Sequence, residues 1–159
     1  MPSRIVSLLS GVVDALQARS NAEDFTDFEP DFIKSYNYAF TLEGLTHEPR
    51  VYVRLATKSG TVASRSQYRQ ELSVVIHVLA AMATANETND DEAKIDTESY
   101  INFVDEIERV MREDCRVVAD CTLLGIETDP IAGQSQAEEL NVFESIVTYT
   151  YQITERNTL

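Results

Sequence analysis

"ELSVVIHVLAAM", residues 71–82, is apolar on both of its alternating sets. Leu72, Val74, Ile76 and Val78 make one set, and Val75, His77 and Leu79 make the other. Side chains of a strand alternate between two faces, and a strand that is apolar on both belongs in the middle of a sheet. The segment "FESIVTYTYQI", residues 143–153, alternates differently. Phe143, Val147, Tyr149, Tyr151 and Ile153 fall on one side, with Ser145 among them. Thr148, Thr150 and Gln152 fall on the other, with Glu144 and Ile146. This is the pattern of a strand with one buried and one wet face.

The remaining segments supply partners for these strands. Residues 4–19 place Ile5, Leu8, Leu9, Val12, Val13 and Leu16 at helical spacing, with Ser3 as N-cap. Residues 20–35, "SNAEDFTDFEPDFIKS", are acidic with Phe25, Phe28 and Phe32 interleaved. Pro30 opposes a continuous helix, so the segment reads as an irregular connector pinned by aromatics, or as an interaction patch. "YNYAFTL" (36–42) and "VYVRLAT" (51–57) read as strands. "KSGTVASRSQ" (58–67) reads as a loop or as the tip of an extended hairpin. The central strand is read as 71–79. Polar residues 84–96 read as a mobile loop, and Asp96 or Thr97 as the cap of a second helix over 97–118. Tyr100, Val104, Ile107, Met111 and Val118 give that helix its apolar stripe. Strands at 121–128 and 143–153 complete the list.

The order is helix, three strands, helix, two strands, without internal repeat or βαβ alternation. The simplest packing is an α+β fold in one domain, residues 1–159. A mostly antiparallel sheet of about five strands carries two helices on one face and leaves its other face open. A chain of 159 residues can bury a core without staples. Its first residues have helical spacing interrupted by Asp14, so no signal peptide is expected, and no run is long enough to span a bilayer.

No catalytic constellation is evident. The chain has two cysteines, Cys115 and Cys121, and two histidines, His47 and His77, which nearly excludes a structural zinc site. The cysteine spacing is not that of a redox pair, and His77 among valines reads as structural. The acidic runs at 23–31 and 89–92 lack calcium-loop spacing and read as solvated charge. No catalytic residue, metal or cofactor is therefore expected.

Charge is the informative feature. The net charge of −14 opposes general nucleic-acid binding and an anionic membrane surface. Yet residues 50–70 hold no acid and five of the thirteen bases: Arg50, Arg54, Lys58, Arg65 and Arg69. Residues 87–114 hold eleven acids, among them Asp90, Asp91, Glu92, Glu98 and Asp105. Two readings follow. Either the basic hairpin of one subunit meets the acidic surface of the next, a head-to-tail contact that can close into a ring, or its arginines pair within their own subunit.

The arrangement resembles phage tail terminator proteins and the related tail-completion proteins of the neck. The segments that carry the resemblance are "RIVSLLSGVVDALQAR" (4–19), "RSQYRQELSVVIHVLA" (65–80) with its Tyr-x-x-Glu entry, and "TESYINFVDEIERVMRE" (97–113) followed by "LLGIETDPIAGQSQAEELNVFESIVTYTYQI" (123–153). The Gly-x-x-x-Asp-Pro loop before the last strand is the most suggestive. The resemblance is one of order and spacing, and the connector at 20–35 and the loop at 84–96 depart from it. It implies a non-enzymatic, hexameric ring that caps the tail tube, ends its polymerisation and joins it to the head connector. Sheets would face the lumen, where Thr148, Thr150 and Gln152 would let DNA pass without specific binding. The implied partners are other copies of the chain, the tail tube protein and the head connector or stopper protein. The implied place is the virion neck, after assembly in the host bacterial cytoplasm. A head-completion or stopper role is the adjacent alternative, and a small host α+β ligand-binding domain or enzyme is the alternative from another class.

Overall fold

A computed structural model describes residues 3–35, 44–82, 90–114, 121–130 and 142–156. Helix α1 spans Arg4–Asn21, strand β1 Asp31–Ser35, β2 Arg50–Ser64, β3 Gln67–Ala81, helix α2 Asp90–Glu113, β4 Cys121–Asp129 and β5 Val142–Arg156. The sheet order is β1-β2-β3-β5-β4, with β1 parallel to β2 and the other three pairs antiparallel. The fold is α+β, and β3 is its central strand.

Local chemistry accounts for the helices. The Ser3 hydroxyl accepts from the Val6 amide at 3.3 Å and caps α1. Leu8, Leu9, Val12, Val13 and Leu16 are all buried against the sheet. Helix α2 buries Tyr100, Phe103, Val104, Ile107, Val110 and Met111 in the same cluster. Hydroxyls tie it to the strands: Tyr149 donates to the Ile107 carbonyl at 3.2 Å. The Tyr100 hydroxyl lies 2.9 Å from the His47 carbonyl and 3.1 Å from that of Ala81. Among the described residues, no helix is long and apolar enough to cross a membrane.

Three boundaries differ from the sequence reading. A strand, β1, begins directly after Pro30, inside the segment read as irregular. Proline lacks the N–H of a ladder and is compatible with an edge, which is where β1 lies. The aromatic anchoring of the connector holds: Phe25 packs on Phe32 and Phe103, and Phe28 stacks on Tyr100 at 5.4 Å. The strand read at 36–42 lies outside the described residues. Helix α2 begins at Asp90 and runs through Asp96 and Thr97, which are not its cap, to Glu113; residues 115–118 of the expected helix, with Val118 of its stripe, lie outside the described residues. Finally, of the two readings of residues 58–67 the extended hairpin tip holds and the loop does not, so β2 and β3 run longer than the strands read at 51–57 and 71–79. Strands β2 and β3 continue to a turn at Arg65–Ser66.

The face opposite the helices is not open throughout. Val75, His77 and Leu79 lie there, and all three are buried. Thr148, Thr150 and Gln152 of β5 share that face and are half-buried, as are Arg50, Tyr52 and Arg54 of β2, so the wet surface flanks the buried β3 positions on both sides.

Candidate subunit interface

The hairpin of β2 and β3 leaves the core at Thr57. From Thr57 to Ser66 every residue is exposed. At 3.4 Å per residue the eight residues Thr57–Ser64 reach about 24 Å. We call this projection the arm. Its geometry has a local cause at Gly60. A Cβ there would stand 1.9 Å from the Tyr68 hydroxyl oxygen, so the ring of Tyr68 lies across β2 where the glycine leaves room. Strand β5 stiffens the other side of the arm by pairing Arg156 with Gln67 and Ile153 with Gln70.

The five bases of residues 50–70 form two groups. Arg50 and Arg54 stand at the root of β2, half-buried, on the face opposite the helices. The Arg50 guanidinium donates to the Gly44 carbonyl at 3.1 Å, and Arg54 Nε donates to His77 Nε2 at 3.0 Å. Lys58, Arg65 and Arg69 are exposed on the arm, and among the described residues none of the three forms an ion pair. The bases that are paired at home are thus those nearest the core.

His77 is 5% exposed and sits between Arg54 and Glu144, whose Oε1 is 3.7 Å from His77 Nδ1. Because Nε2 accepts from Arg54, the imidazole is neutral with its proton on Nδ1, facing the carboxylate. Burial, with Arg54 second, lowers its pKa from 6.5 to about 4. Burial also raises the pKa of Glu144, helped by Asp129. Arg54, His77 and Glu144 thus form a polar diagonal across β2, β3 and β5.

The acidic residues named from the sequence are dispersed. Asp90, Asp91 and Glu92 lie in the first turn of α2, and their side chains fall outside the described residues. Glu98 and Asp105 are exposed further along the helix. The span from Asp90 to Asp105 covers about 22 Å of helix axis at 1.5 Å per residue, so they do not form one compact patch. A second acidic strip was not anticipated. Glu127 and Asp129 of β4 are exposed on the face that carries Arg50 and Arg54, with Glu144 beside them. That face is therefore polarised, basic at the β2 side and acidic at the β4 side. The alternation of Glu127 and Asp129 was visible in the sequence, but only the order β3-β5-β4 places them at the far edge.

Other charge clusters are internal. Arg19 bonds Asp24, Glu113 and Asp114 and joins the ends of the two helices. Its hydrogen bond with Glu113, against some desolvation, raises its pKa further and holds that of Glu113 down. A groove of about 200 Å³ is lined by Glu29, Asp31, Ile33, Glu48 and Arg50 among others. Pockets for small molecules usually enclose roughly 300–1,000 Å³. Among the described residues, no three His, Cys, Asp or Glu side chains are grouped to hold a metal ion. Cys121 is buried at the start of β4, and Cys115 lies outside the described residues.

No protein-family model matches the chain, and no curated protein matches it either.

Proposed function

We propose that the chain is a structural, ring-forming protein of a tailed phage, a tail terminator that caps the tail tube and connects it to the head. The observation that carries this reading is the arm: a 24 Å projection, estimated at about 3.4 Å per residue, that bears Lys58, Arg65 and Arg69 without an ion pair among the described residues of its own subunit. An otherwise strongly acidic molecule offers many complementary surfaces to such an arm. Contact between two different surfaces of identical copies is heterologous, and it closes into a ring when the rotation allows. The charges set orientation and partner choice more than affinity.

In this reading the face opposite the helices borders the channel. Half-buried Thr148, Thr150 and Gln152 and exposed Glu127 and Asp129 would face the passing DNA. Hydroxyls and amides hydrate the wall, and carboxylates repel phosphates, so DNA would slide without sticking. The partners are further copies of the chain, the tail tube end and the head connector.

Light scattering and negative-stain imaging of the purified chain, alone and with tail tubes, test this reading. Rings of uniform subunit number, six by the resemblance, are expected. A protein that stays monomeric in both settings overturns it.

A further inference from the structure

The charges of the sheet are sorted along its strands. On the arm side of Thr57 and Ser73, the exposed bases are Lys58, Arg65, Arg69 and Arg156. Among the described residues of the strands, the acids on that side are Glu71 and half-buried Glu155, and Glu155 lies 3.9 Å from Arg4. The far end of the strands is different. Around the start of β1 and the loop before β2, Glu29, Asp31 and Glu48 are exposed. Lys34 turns away from them to the helix side, where it donates to the Ser10 hydroxyl at 3.2 Å. Between Gln67 near the turn of the arm and Leu79, level with Arg50, β3 extends about 41 Å at about 3.4 Å per residue. The bases of the arm therefore cannot meet the acidic end of their own subunit.

The groove of about 200 Å³ lies at this acidic end. Glu29, Asp31 and Glu48 supply its carboxylates, Ile33 and Pro49 an apolar wall, and Arg50 one base. Its walls are tied to the rest of the fold. The Glu29 amide donates to Glu48 Oε1 at 2.7 Å, which joins the connector to the loop before β2. That loop is held in turn, because its Thr46 carbonyl accepts from the Ala81 amide at 2.9 Å and the Tyr100 hydroxyl lies 2.9 Å from its His47 carbonyl. Phe28 stacks on the same Tyr100. A site ordered in advance loses less freedom when it binds.

Size and chemistry point to one kind of occupant. The groove is smaller than a pocket for a small molecule, at roughly 300–1,000 Å³, and is on the scale of a single long side chain. Three carboxylates against one guanidinium leave it an excess of negative charge, and Ile33 is exposed beside them. Arginine matches both features: its stem lies along apolar surface, and its planar fork meets carboxylate oxygens two at a time. Arg65 stands in the turn at the tip of the arm, is exposed, and forms no ion pair or hydrogen bond among the described residues.

We infer that the groove is a socket for the tip of the arm of a second copy, with the Arg65 guanidinium between Glu29, Asp31 and Glu48 and its stem against Ile33. The two surfaces differ and lie at opposite ends of the subunit, so the contact is heterologous, as a ring requires. The inference rests on the ring reading and names the surface that receives the arm. It moves the acidic partner of the arm from helix α2 to this groove.

Cross-linking tests it without removing a charge. Ser66 stands beside Arg65 in the turn and Ile33 in the wall of the groove, and both are exposed. Ser66→Cys and Ile33→Cys chains, mixed with a short bis-maleimide, are expected to give a cross-linked dimer well above what either variant alone or the parent chain gives. The length of β3 keeps the two positions apart within one chain, so the double variant is expected to give a ladder that ends in a closed multimer. Charge reversal is the second measurement. Arg65→Glu and Glu29→Arg are each expected to lower assembly and together to restore it, with thermal unfolding unchanged because both side chains are exposed. Single reversals that assemble like the parent chain, or a double reversal that recovers nothing, overturn the socket. Rings that form but are not cross-linked by the cysteine pair overturn it too and leave the ring standing. Cross-linking of Ser66→Cys to itself as readily as to Ile33→Cys overturns it in favour of a two-fold contact between arms. A chain that remains monomeric at every concentration overturns both the socket and the ring.

Discussion

Arg54 Nε donates to His77 Nε2 at 3.0 Å, across neighbouring strands and on a face of the sheet where His77 is all but removed from water. The hydrogen bond needs an imidazole without a proton on Nε2. A proton there would remove the acceptor and place two cations in contact.

This gives a pH dependence with a definite sign. The folded-state pKa of His77 is lowered from 6.5 to about 4, so between those values the unfolded chain binds more protons. The contribution is complete above pH 6.5 and is lost as pH falls toward 4, with a ceiling of about 3 kcal/mol at about 1.4 kcal/mol per unit. Glu144 faces His77 and acts oppositely: its raised pKa favours the folded state at low pH and loses that benefit as pH rises. His77→Gln keeps an acceptor for Arg54 and cannot titrate. Urea unfolding at pH 7 and pH 4.5 should show a smaller loss for His77→Gln than for the parent chain. Equal losses would mean that His77 takes up its proton as readily in the folded chain as in the unfolded one.

Arg19 holds three carboxylates, Asp24, Glu113 and Asp114, at the junction of the two helix ends. A planar guanidinium can meet several acceptors at once, whereas an ammonium is a point charge. Arg19→Ala is expected to lower the urea midpoint more than Arg109→Ala, which removes only an i,i+4 surface pair with Glu113. Arg19→Lys should recover only part of the loss. If both alanine variants unfold at the same denaturant concentration, Arg19 is one more solvated surface charge.

Gly60 and Tyr68 are coupled by space rather than by backbone conformation. A methyl at Gly60 displaces the Tyr68 ring, whose hydroxyl oxygen would lie 1.9 Å from the new carbon. The expected cost of Gly60→Ala is about 0.5–1 kcal/mol, the scale of one cross-strand side-chain pair. In a Tyr68→Ala background the same change should be neutral or stabilising, because alanine restricts the unfolded chain more than glycine does. A double-mutant cycle measures the difference. Additive effects would show that the ring does not need the glycine.

How far the sequence carried this reading can be seen residue by residue. The alternation of Leu72–Val78 and Phe143–Ile153, the Ser3 cap and the stripe of α2 all reappear where the pattern put them, because each reports contact with a continuous core. Strand β1 did not, since only Phe32 of its five residues is buried and an edge strand leaves no alternating signature. The first turns of α2, "DDEAKID", carry too few apolar residues to show a helical period. The arm was legible only as one of two readings, loop or extended hairpin tip, because it is exposed on both faces and its strands have no core to alternate against. At the site, the missing acids of residues 50–70 were legible from composition. The division of their bases was not, because Arg54 meets His77 only through a register set 23 residues away. The acidic strip of β4 depends on β5 lying between β3 and β4, which no local pattern encodes.

That division of the bases yields a separable pair of phenotypes. Lys58, Arg65 and Arg69 are exposed and, among the described residues, form no ion pair, so their reversal should cost little folding stability, within about 0.5 kcal/mol. Arg54 is half-buried and bonded to His77, so Arg54→Glu should weaken the fold itself by placing an acid beside a buried imidazole. The triple variant Lys58→Glu, Arg65→Glu, Arg69→Glu is therefore expected to unfold like the parent chain but to remain monomeric where the parent assembles. Because exposed charges are screened over about 8 Å at physiological ionic strength, parental assembly should also slow as salt is raised. Light scattering at graded salt, alongside thermal unfolding, separates the two effects. Assembly of the triple variant at the parental rate would show that the arm contributes shape but no charge to the contact.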